Sequence, residues 1–175
     1  MSIGTDKVVL VDEFDNKIGL QDKQQAHIDG ALHRAFSVFI LNSNQQILLQ
    51  QRQADKYHCA NLWTNTCCSH PRDNELIVDA AKRRLIEELN LQCDNLQVIS
   101  SFIYKASLDT GLIEHEYDYV LVGYVDKMLI EINLDEVQNY AWVSIQELKE
   151  WLERAPSDFT PWFNLALDKL LAWLV

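Results

Sequence analysis

The sequence predicts a mixed α/β (α+β) fold in which helices cover both faces of a mixed β-sheet. Segments with strand character occur on both sides of one strongly amphipathic helix, Glu75–Asn90, and further helical segments end the chain. The chain has 175 residues, and 48% of them are hydrophobic, which is enough for one sizeable core. Because no repeat, low-complexity run or linker interrupts the sequence, we expect one domain over residues 1–175.

The first part of the chain is predicted to form two β-hairpins separated by a polar segment. Val8–Leu10 and Lys17–Leu20 flank an Asp-Asn turn and form the first hairpin. The segment 21–34 shows no periodicity and contains two histidines. Strands over Ala35–Leu41 and Gln46–Arg52, joined by a polar turn, form the second hairpin. We expect these two strands to be antiparallel neighbours.

A long loop over residues 53–74 separates the hairpins from the principal helix. In that helix, Glu75–Asn90, apolar residues recur on one face and charged residues occupy the other. Strands are predicted next over Leu96–Tyr104 and Leu112–Val125, the second of which is rich in Tyr and Val. We expect both strands to join the sheet formed by the hairpins.

The last part of the chain supplies the final strands and a second helical layer. A weaker pair of strands, Leu129–Ile132 and Tyr140–Val143, is predicted to close the sheet. Ser144–Glu147 has the pattern of a capping box and starts a helix that stops before Pro156. Thr160–Pro161 offers an N-cap and a proline at the first position of a terminal helix.

The overall charge limits the classes of ligand. The chain has a formal net charge of -11 and a pI of about 4.7, which argues against a nucleic-acid or anionic-membrane surface. A small anionic ligand must then be held by a local basic cluster or a bridging cation. No run reaches the roughly 18 apolar residues of a membrane span, and Met1–Lys7 has no apolar signal region. We therefore expect a cytoplasmic protein whose four cysteines are reduced.

The stretch Asn61–Pro71 is the most chemically dense part of the chain, with thiols, hydroxyls, amides and an imidazole. Long loops of this kind often carry function, so this is the candidate active-site loop. Cys68 is a candidate for proton transfer because a neighbouring cationic centre can tune a thiol. A nucleophilic pair of Cys68 with His70 is the rival interpretation. Inert packing is the usual role of a cysteine, and we expect it for Cys67.

A set of imidazoles and carboxylates has the composition of a metal site: His27, His33, His70, Glu114 and Glu116. Taken alone, His27 and His33 are also compatible with surface or capping roles. Glu114 and Glu116 are two residues apart in a strand, so their carboxylates share one face and repel each other unless a cation or proton separates them. Three imidazoles and two carboxylates suit Zn²⁺, Mn²⁺ or Mg²⁺.

Residues 69–91 resemble the Nudix box, whose pattern is Gly-x5-Glu-x7-Arg-Glu-apolar-x-Glu-Glu-x-Gly-apolar. Glu75, Arg83, Glu87 and Glu88 stand at matching positions. In Nudix hydrolases the carboxylates of this helix bind Mg²⁺ and activate water. The resemblance therefore implies a helix that handles a diphosphate.

The box departs from the pattern in ways that bear on hydrolysis. Ser69 replaces the first Gly, Arg84 replaces the catalytic Glu and Asn90 replaces the last Gly. Arg84 places a cation at the position where the Nudix pattern has a carboxylate, which disfavours hydrolysis. Glu88, one turn away, can still hold Mg²⁺ against a diphosphate.

Several separated motifs together resemble the type I isopentenyl-diphosphate Δ-isomerases, which have the Nudix fold and interconvert isopentenyl and dimethylallyl diphosphates. The motifs are Ala26-His27, Leu32–Ser37, Thr64–Pro71, Glu114–Tyr119 and Thr160–Trp162. They occur in the same order as in the family, and the resemblance runs from about Val8 to Phe163. It implies a Nudix-type mixed sheet sandwiched between helices and an isomerase of isoprenoid biosynthesis.

The family reaction protonates the terminal alkene carbon, passes through a carbocation-like state and removes a proton on the opposite face. The resemblance implies that Cys68 and Glu116 are the two proton-carrying groups and that Tyr104 assists beside the carboxylate. It also implies that the indole face of Trp162 stabilises the cation. Ordinary packing at a helix start is the other interpretation of Trp162.

The same resemblance implies how the allylic or homoallylic diphosphate is held. The groups that bind it are Lys23, Arg52, Lys56 and Ser69. One Mg²⁺ bridges the diphosphate and Glu88, with help from the backbone carbonyl of Cys68. A second divalent ion, Mn²⁺, Zn²⁺ or Mg²⁺, is held by His27, His33, His70, Glu114 and Glu116.

The sequence leaves two other functions open. A Nudix hydrolase of a nucleoside diphosphate derivative is favoured by the box and disfavoured by Arg84. A degenerate Nudix domain used for binding or regulation is disfavoured by the presence of Cys68, Glu116 and the complete ligand set. We expect the protein to be a monomer or a homodimer.

Overall fold

The computed structural model describes residues 6–175, which form a mixed sheet with helices on both faces. The strands are β1 (Lys7–Val11), β2 (Lys17–Asp22), β3 (His33–Leu41), β4 (Gln46–Arg52), β5 (Trp63–Thr64), β6 (Cys67–Ser69), β7 (Gln97–Ser107), β8 (Ile113–Tyr124) and β9 (Val137–Ser144). The helices are α1 (Lys23–Asp29), α2 (Ile77–Leu89), α3 (Ile145–Arg154) and α4 (Phe163–Leu174), with a short 3₁₀ turn at Pro156–Asp158. The expected absence of a signal region in Met1–Lys7, and the start of the expected domain, lie largely outside the described residues.

Strand β3 lies at the centre of the sheet. It pairs in parallel with β8 over its whole length, from His33 opposite Glu116 to Leu41 opposite Tyr124. On its other edge it pairs with β6 and, near its ends, with β1 and β4. Parallel neighbours need a long crossover connection, and here the chain between β3 and β8 includes α2 and β7.

The two faces of the sheet carry separate apolar clusters. One face packs Val38 and Ile40 of β3 against Leu85 of α2. The other face packs Phe39 of β3 against Phe163 of α4, together with residues of α3. Successive side chains of a strand point to opposite faces, so the near-continuous apolar run of β3 serves both clusters. This arrangement confirms the predicted mixed sheet sandwiched between helices.

The face under α4 changes character along the strands. In β8, Val122 and Val120 belong to the apolar cluster, whereas Asp118, Glu116 and Glu114 follow on the same face and are also buried. Buried carboxylates need hydrogen bonds, ion pairs or a cation. The polar end of this face is therefore where the functional site must lie.

Local sequence signals predict several elements correctly. The first hairpin forms, with β1 and β2 antiparallel. Strands β3 and β4 are antiparallel neighbours at Leu41 and Ile47, as expected. Ser144 and Glu147 form the predicted capping box at the start of α3. The parallel partnership of β3 with β8, however, is not encoded in any local pattern.

Several predicted elements were wrong. The segment 21–34 contains α1, a helix of seven residues that is too short to show periodicity. The predicted loop 53–74 contains the short strands β5 and β6. Leu129–Ile132 forms no strand, because Ile130 packs into the cluster under α2 while β9 pairs with β4 instead.

The terminal helix begins later than predicted. It starts at Phe163, not at Pro161, because Pro161 and Trp162 form a turn that is closed by a hydrogen bond from the Phe163 amide to the Thr160 carbonyl. In residues 6–175, no helix is both long and apolar enough to cross a membrane.

Gly123 of β8 lies where the sheet packs closely against the segment that follows α2. A Cβ added at this position would lie 2.5 Å from Cys93 Sγ and 2.9 Å from Leu96 Cδ2. We expect Gly123→Ala to lower the free energy of unfolding by about 1–3 kcal/mol through overpacking, measured by urea denaturation. Gly19→Ala is the matched control, since its added Cβ meets only Leu10 Cδ1 at 3.9 Å. Equal stability of both variants would contradict this account.

Candidate active site

The predicted site residues come together at the polar end of the sheet face. Ten of the thirteen, all within the described part of the chain, line one pocket: Lys23, Arg52, Lys56, Cys68, Ser69, His70, Glu88, Glu114, Glu116 and Trp162. The other three contact carboxylates that line this pocket. His27 and His33 contact the carboxylates of Glu114 and Glu116, and the Tyr104 hydroxyl donates to Glu116 Oε2 at 2.9 Å.

Backbone carbonyls orient two of the histidines. His27 Nδ1 lies 2.6 Å from the Lys23 carbonyl, and His33 Nδ1 lies 2.8 Å from the Ala31 carbonyl. A carbonyl only accepts hydrogen bonds, so each Nδ1 carries the proton and each Nε2 is left with a lone pair. The short helix α1, which ends at Gly30 with φ of 67°, aims His27 into the site.

The register of the sheet brings the second group of ligands together. His33 is opposite Glu116 in the parallel pair, and its Nε2 lies 3.4 Å from Glu116 Oε1. His70 follows β6 and places its Nε2 3.0 Å from the same oxygen and 3.2 Å from His33 Nε2. Burial, and then His33, hold the pKa of His70 well below its usual value. A neutral His70 is the form that binds metal.

The contact between His27 and Glu114 is the strongest sign that a cation belongs here. His27 Nε2 and Glu114 Oε2 are 3.3 Å apart, both buried, and neither has a hydrogen-bond partner among the described residues. Burial opposes a charge on His27, but Glu114 raises its pKa above the usual value. Two facing lone pairs need a proton or a cation between them, so this donor set fits a divalent ion.

His58 is a further histidine of the site, and no sequence pattern predicts it. His58 Nε2 lies 2.8 Å from Glu114 Oε1, and the side chain is 8% exposed. Burial holds the pKa of His58 below its usual value. Two overlapping groups of side chains can hold a metal ion, and His58 joins the one that contains His27 and Glu114. Its place in the predicted loop over residues 53–74 was the only available signal.

The thiol of Cys68 lies among polar groups of the same pocket. Its Sγ lies 2.8 Å from Asn65 Oδ1, which accepts from the thiol, and 3.1 Å from Trp162 Nε1, which donates to the sulfur. Burial, with a contribution from Asp118, raises the pKa of Cys68 to about 12, against the hydrogen bonds from Thr64 and Trp162. Cys68 is therefore a neutral thiol near neutral pH and can give a proton.

Glu116 has the opposite protonation. Burial raises its pKa, but the nearby His33 and the hydrogen bond from Tyr104 outweigh that effect and lower the pKa to about 2. Glu116 is therefore ionised and can accept a proton. Among the described residues, the hydrogen bonds of Cys68 Sγ do not include His70, whose Nε2 faces Glu116. This geometry disfavours a Cys68–His70 nucleophilic pair.

The cationic side of the pocket is held by acidic neighbours. Lys56 is paired with Glu136, and Lys23 Nζ lies 3.8 Å from Asp6 Oδ2. Burial holds the pKa of Lys23 below its usual value. The Arg52 guanidinium lies over the Trp162 ring, with its Cζ 5.8 Å from the centroid. Glu136, which the sequence analysis did not single out, is the acidic partner in this cluster.

Glu88 is not free to act as the acid of a Nudix hydrolase. Arg84 Nη2 donates to its Oε1 at 2.5 Å, and Gln50 Nε2 donates to its Oε2 at 2.7 Å. Both carboxylate oxygens are thus occupied by donors in a buried setting. Asn90 ends the helix in the left-handed region, with φ of 45°, a conformation that Asn tolerates in place of Gly.

Solved structures similar to this one include a protein from Deinococcus radiodurans, with a TM-score of 0.71 and 21% identity over 93% of this chain and 96% of that chain. A MutT NUDIX hydrolase from Burkholderia pseudomallei matches with a TM-score of 0.63 and 17% identity, over 79% of this chain and 97% of that chain. At these identities the likeness establishes the fold.

Relatives found by sequence are more similar to this chain than these solved structures are. The isopentenyl-diphosphate Delta-isomerase 2 of Photorhabdus laumondii is 49% identical over 163 residues, which cover 93% of this chain and 91% of that protein. The isopentenyl-diphosphate Delta-isomerase of Photobacterium profundum is 46% identical over 170 residues, 95% of this chain and 94% of that protein. A family model described as NUDIX domain matches residues 31–163. The chain therefore belongs to the NUDIX superfamily and, within it, to the type I isopentenyl-diphosphate Δ-isomerases.

Proposed function

We propose that the protein interconverts isopentenyl diphosphate and dimethylallyl diphosphate, with Cys68 and Glu116 as the two proton-carrying groups. The observation that supports this assignment is that Cys68 and Glu116 line the same pocket. Burial raises the pKa of Cys68, which favours the thiol, whereas the pKa of Glu116 is lowered, chiefly by His33, which favours the carboxylate. A reaction that adds one proton and removes another needs one acid and one base at once.

In the direction from isopentenyl diphosphate, the Cys68 thiol gives its proton to the terminal alkene carbon. The positive charge that develops on the neighbouring tertiary carbon is lost when Glu116 removes a proton from the next carbon. The thiol must regain a proton and the carboxyl group must lose one before the next turnover. Tyr104, which donates to Glu116 Oε2, keeps the carboxylate in position.

Trp162 has two roles in this proposal. Its indole N–H donates to Cys68 Sγ and stabilises the thiolate that remains after proton transfer. Its ring lies beside the pocket and is already in contact with the Arg52 cation. The same ring can therefore stabilise a carbocation-like state, as the resemblance implied.

Positive side chains and a hydroxyl bind the diphosphate in this proposal: Lys23, Arg52, Lys56 and Ser69. Lys56 must exchange its pairing with Glu136 for the substrate. Enzymes of this family use divalent metal ions. We assign Mg²⁺ to Glu88, with the Cys68 carbonyl, so Glu88 must exchange the donor Arg84 or Gln50 for the ion. We assign a second ion, Mn²⁺, Zn²⁺ or Mg²⁺, to the histidine cluster. The cation there would neutralise the adjacent carboxylates and hold them in place.

Two other functions are less consistent with these observations. Hydrolysis of a nucleoside diphosphate derivative needs free carboxylates on α2, and Arg84 occupies Glu88. A binding-only role would not require an acid and a base beside a cluster of cations. We also infer a cytoplasmic location, which is supported by the four unpaired cysteines in the described residues.

Incubation with isopentenyl diphosphate and Mg²⁺ in D₂O, followed by NMR, tests the reaction. We expect dimethylallyl diphosphate that contains deuterium, because the proton-carrying groups exchange with solvent between turnovers. Release of inorganic phosphate would instead indicate a hydrolase. Unchanged substrate, with metal-loaded folded protein, would contradict both enzymatic functions. Glu116→Gln provides the inactive control, since it keeps the shape and loses the base.

Two adjacent cysteines provide a matched pair of variants. Cys68 faces the pocket, whereas Cys67 is fully buried in the cluster under α2. We expect Cys68→Ala to lower kcat by roughly 10²–10⁴-fold, because the general acid is lost. Cys67→Ala should retain most of kcat and lose only stability. If folded samples of both variants lost kcat equally, Cys68 would not be the specific proton donor.

Trp162→Phe separates the indole N–H from the aromatic ring. Loss of a hydrogen bond to the thiolate costs about 1.5–3 kcal/mol, so we expect kcat to fall about tenfold to about a hundredfold. Trp151→Phe is the control, since its N–H donates to Asp158 at 2.7 Å outside the pocket. Similar kcat values for Trp162→Phe and wild type would remove the proposed role of the N–H.

A further inference from the structure

His58 is the one imidazole of the cluster that the site assignment above does not use. Its Nε2 lies 2.8 Å from Glu114 Oε1, and its ring centroid lies 5.4 Å from that of His27. Its Nδ1 is buried and has no hydrogen-bond partner among the described residues. Since an ionised carboxylate only accepts, the proton of the neutral His58 ring belongs on Nε2.

The contact with His58 satisfies one oxygen of the buried Glu114 carboxylate. The residue is 1% exposed, so each of its oxygens needs a partner. His58 occupies Oε1, which leaves Oε2 directed at His27 Nε2, 3.3 Å away. Without His58, Oε1 would be buried and unsatisfied, and the carboxylate would be free to rotate away from the cation position.

The loop around His58 is built to hold the ring in this place. Cys59 and Asn61 adopt the left-handed region, with φ of 52° and 64°. Arg52 Nη2 donates to the His58 carbonyl at 3.3 Å, and the Tyr57 ring packs on the imidazole with centroids 4.3 Å apart. The hydrogen bond from Arg52 and the packing of Tyr57 thus hold the His58 ring against Glu114.

We infer that His58 is a positioning residue of the metal site, whose Nε2–H holds Glu114 Oε1 so that Oε2 and His27 Nε2 bind one divalent cation. Such outer partners of a ligand typically change metal affinity by about 10–100-fold when they are removed. The inference deepens the metal site of the proposed function and rests on it. It concerns metal binding, which can be measured without turnover.

The test compares variants of His58 by their affinity for metal. The metal-free full chain is titrated with Mn²⁺ by calorimetry, and the shift in Tm on Mn²⁺ addition is measured in parallel. His58→Leu keeps the bulk and removes the donor, so its Kd should rise by about 10–100-fold. His58→Gln can place an N–H where Nε2 stood, so its Kd should stay within a few-fold of the wild type.

Tyr57→Phe is the matched control in the same loop, because it removes only a hydroxyl that makes no hydrogen bond within residues 6–175. Its Kd for Mn²⁺ should not change. If His58→Leu fails to fold, as judged by circular dichroism of the metal-free protein, His58→Ala replaces it in the comparison with His58→Gln.

Two results would overturn the inference. An unchanged Kd in His58→Leu or His58→Ala would mean that Glu114 holds its position without His58. Equal weakening in His58→Gln would indicate that His58 is itself a ligand of the ion, not a positioning residue. Loss of affinity with rescue by Gln would support the inference even if the D₂O experiment detects no isomerisation, so the two proposals fail separately.

Discussion

The parallel pairing of β3 with β8 is the interaction on which the site depends. Its register puts His33 beside Glu116 and leaves Glu114, Glu116 and Asp118 on the same face as the apolar core under α4. A shift of one residue would turn these carboxylates to the other face. Val120 and Val122 of β8 are buried in the apolar cluster under α4, and their burial fixes the register of the strand. The register in turn fixes the positions of the carboxylates, which would repel each other without this support.

The proposed mechanism depends on the contrast between Cys68 and Glu116. Cys68 is half-buried and Glu116 is 8% exposed, and desolvation raises the pKa of the thiol whereas His33 and Tyr104 lower the pKa of the carboxylate. The thiol has one weak N–H donor from Trp162, whereas the carboxylate has His33, His70 and Tyr104 around it. In the proposed mechanism, one pocket therefore holds an acid and a base that do not neutralise each other.

Helix α2, which matches the Nudix box, differs from that of a Nudix hydrolase in its charged side chains. Arg84 pairs with Glu88 and also lies 3.4 Å from Glu136, so the helix contributes a cation where a hydrolase needs a free carboxylate. Gln50 completes the set of donors around Glu88. The fold that binds diphosphates is retained, while the means to activate water for hydrolysis is reduced. This explains how a Nudix fold and an isomerase active site coexist in one chain.

The sequence by itself determined most of the longer strands, the main helix, the capping box and the chemical inventory of the site, because hydrophobic periodicity and motif spacing are local properties. Family motifs also predicted Cys68 and Glu116 as proton-carrying groups and five metal ligands, and the structure brings these side chains together at one end of the sheet. The sequence missed α1, which is too short to show a period, and it missed His58, which no motif includes. Only the tertiary structure decided the β3–β8 register, the contact of Trp162 with Cys68 and the place of His58, because these depend on residues far apart in the chain that meet through packing.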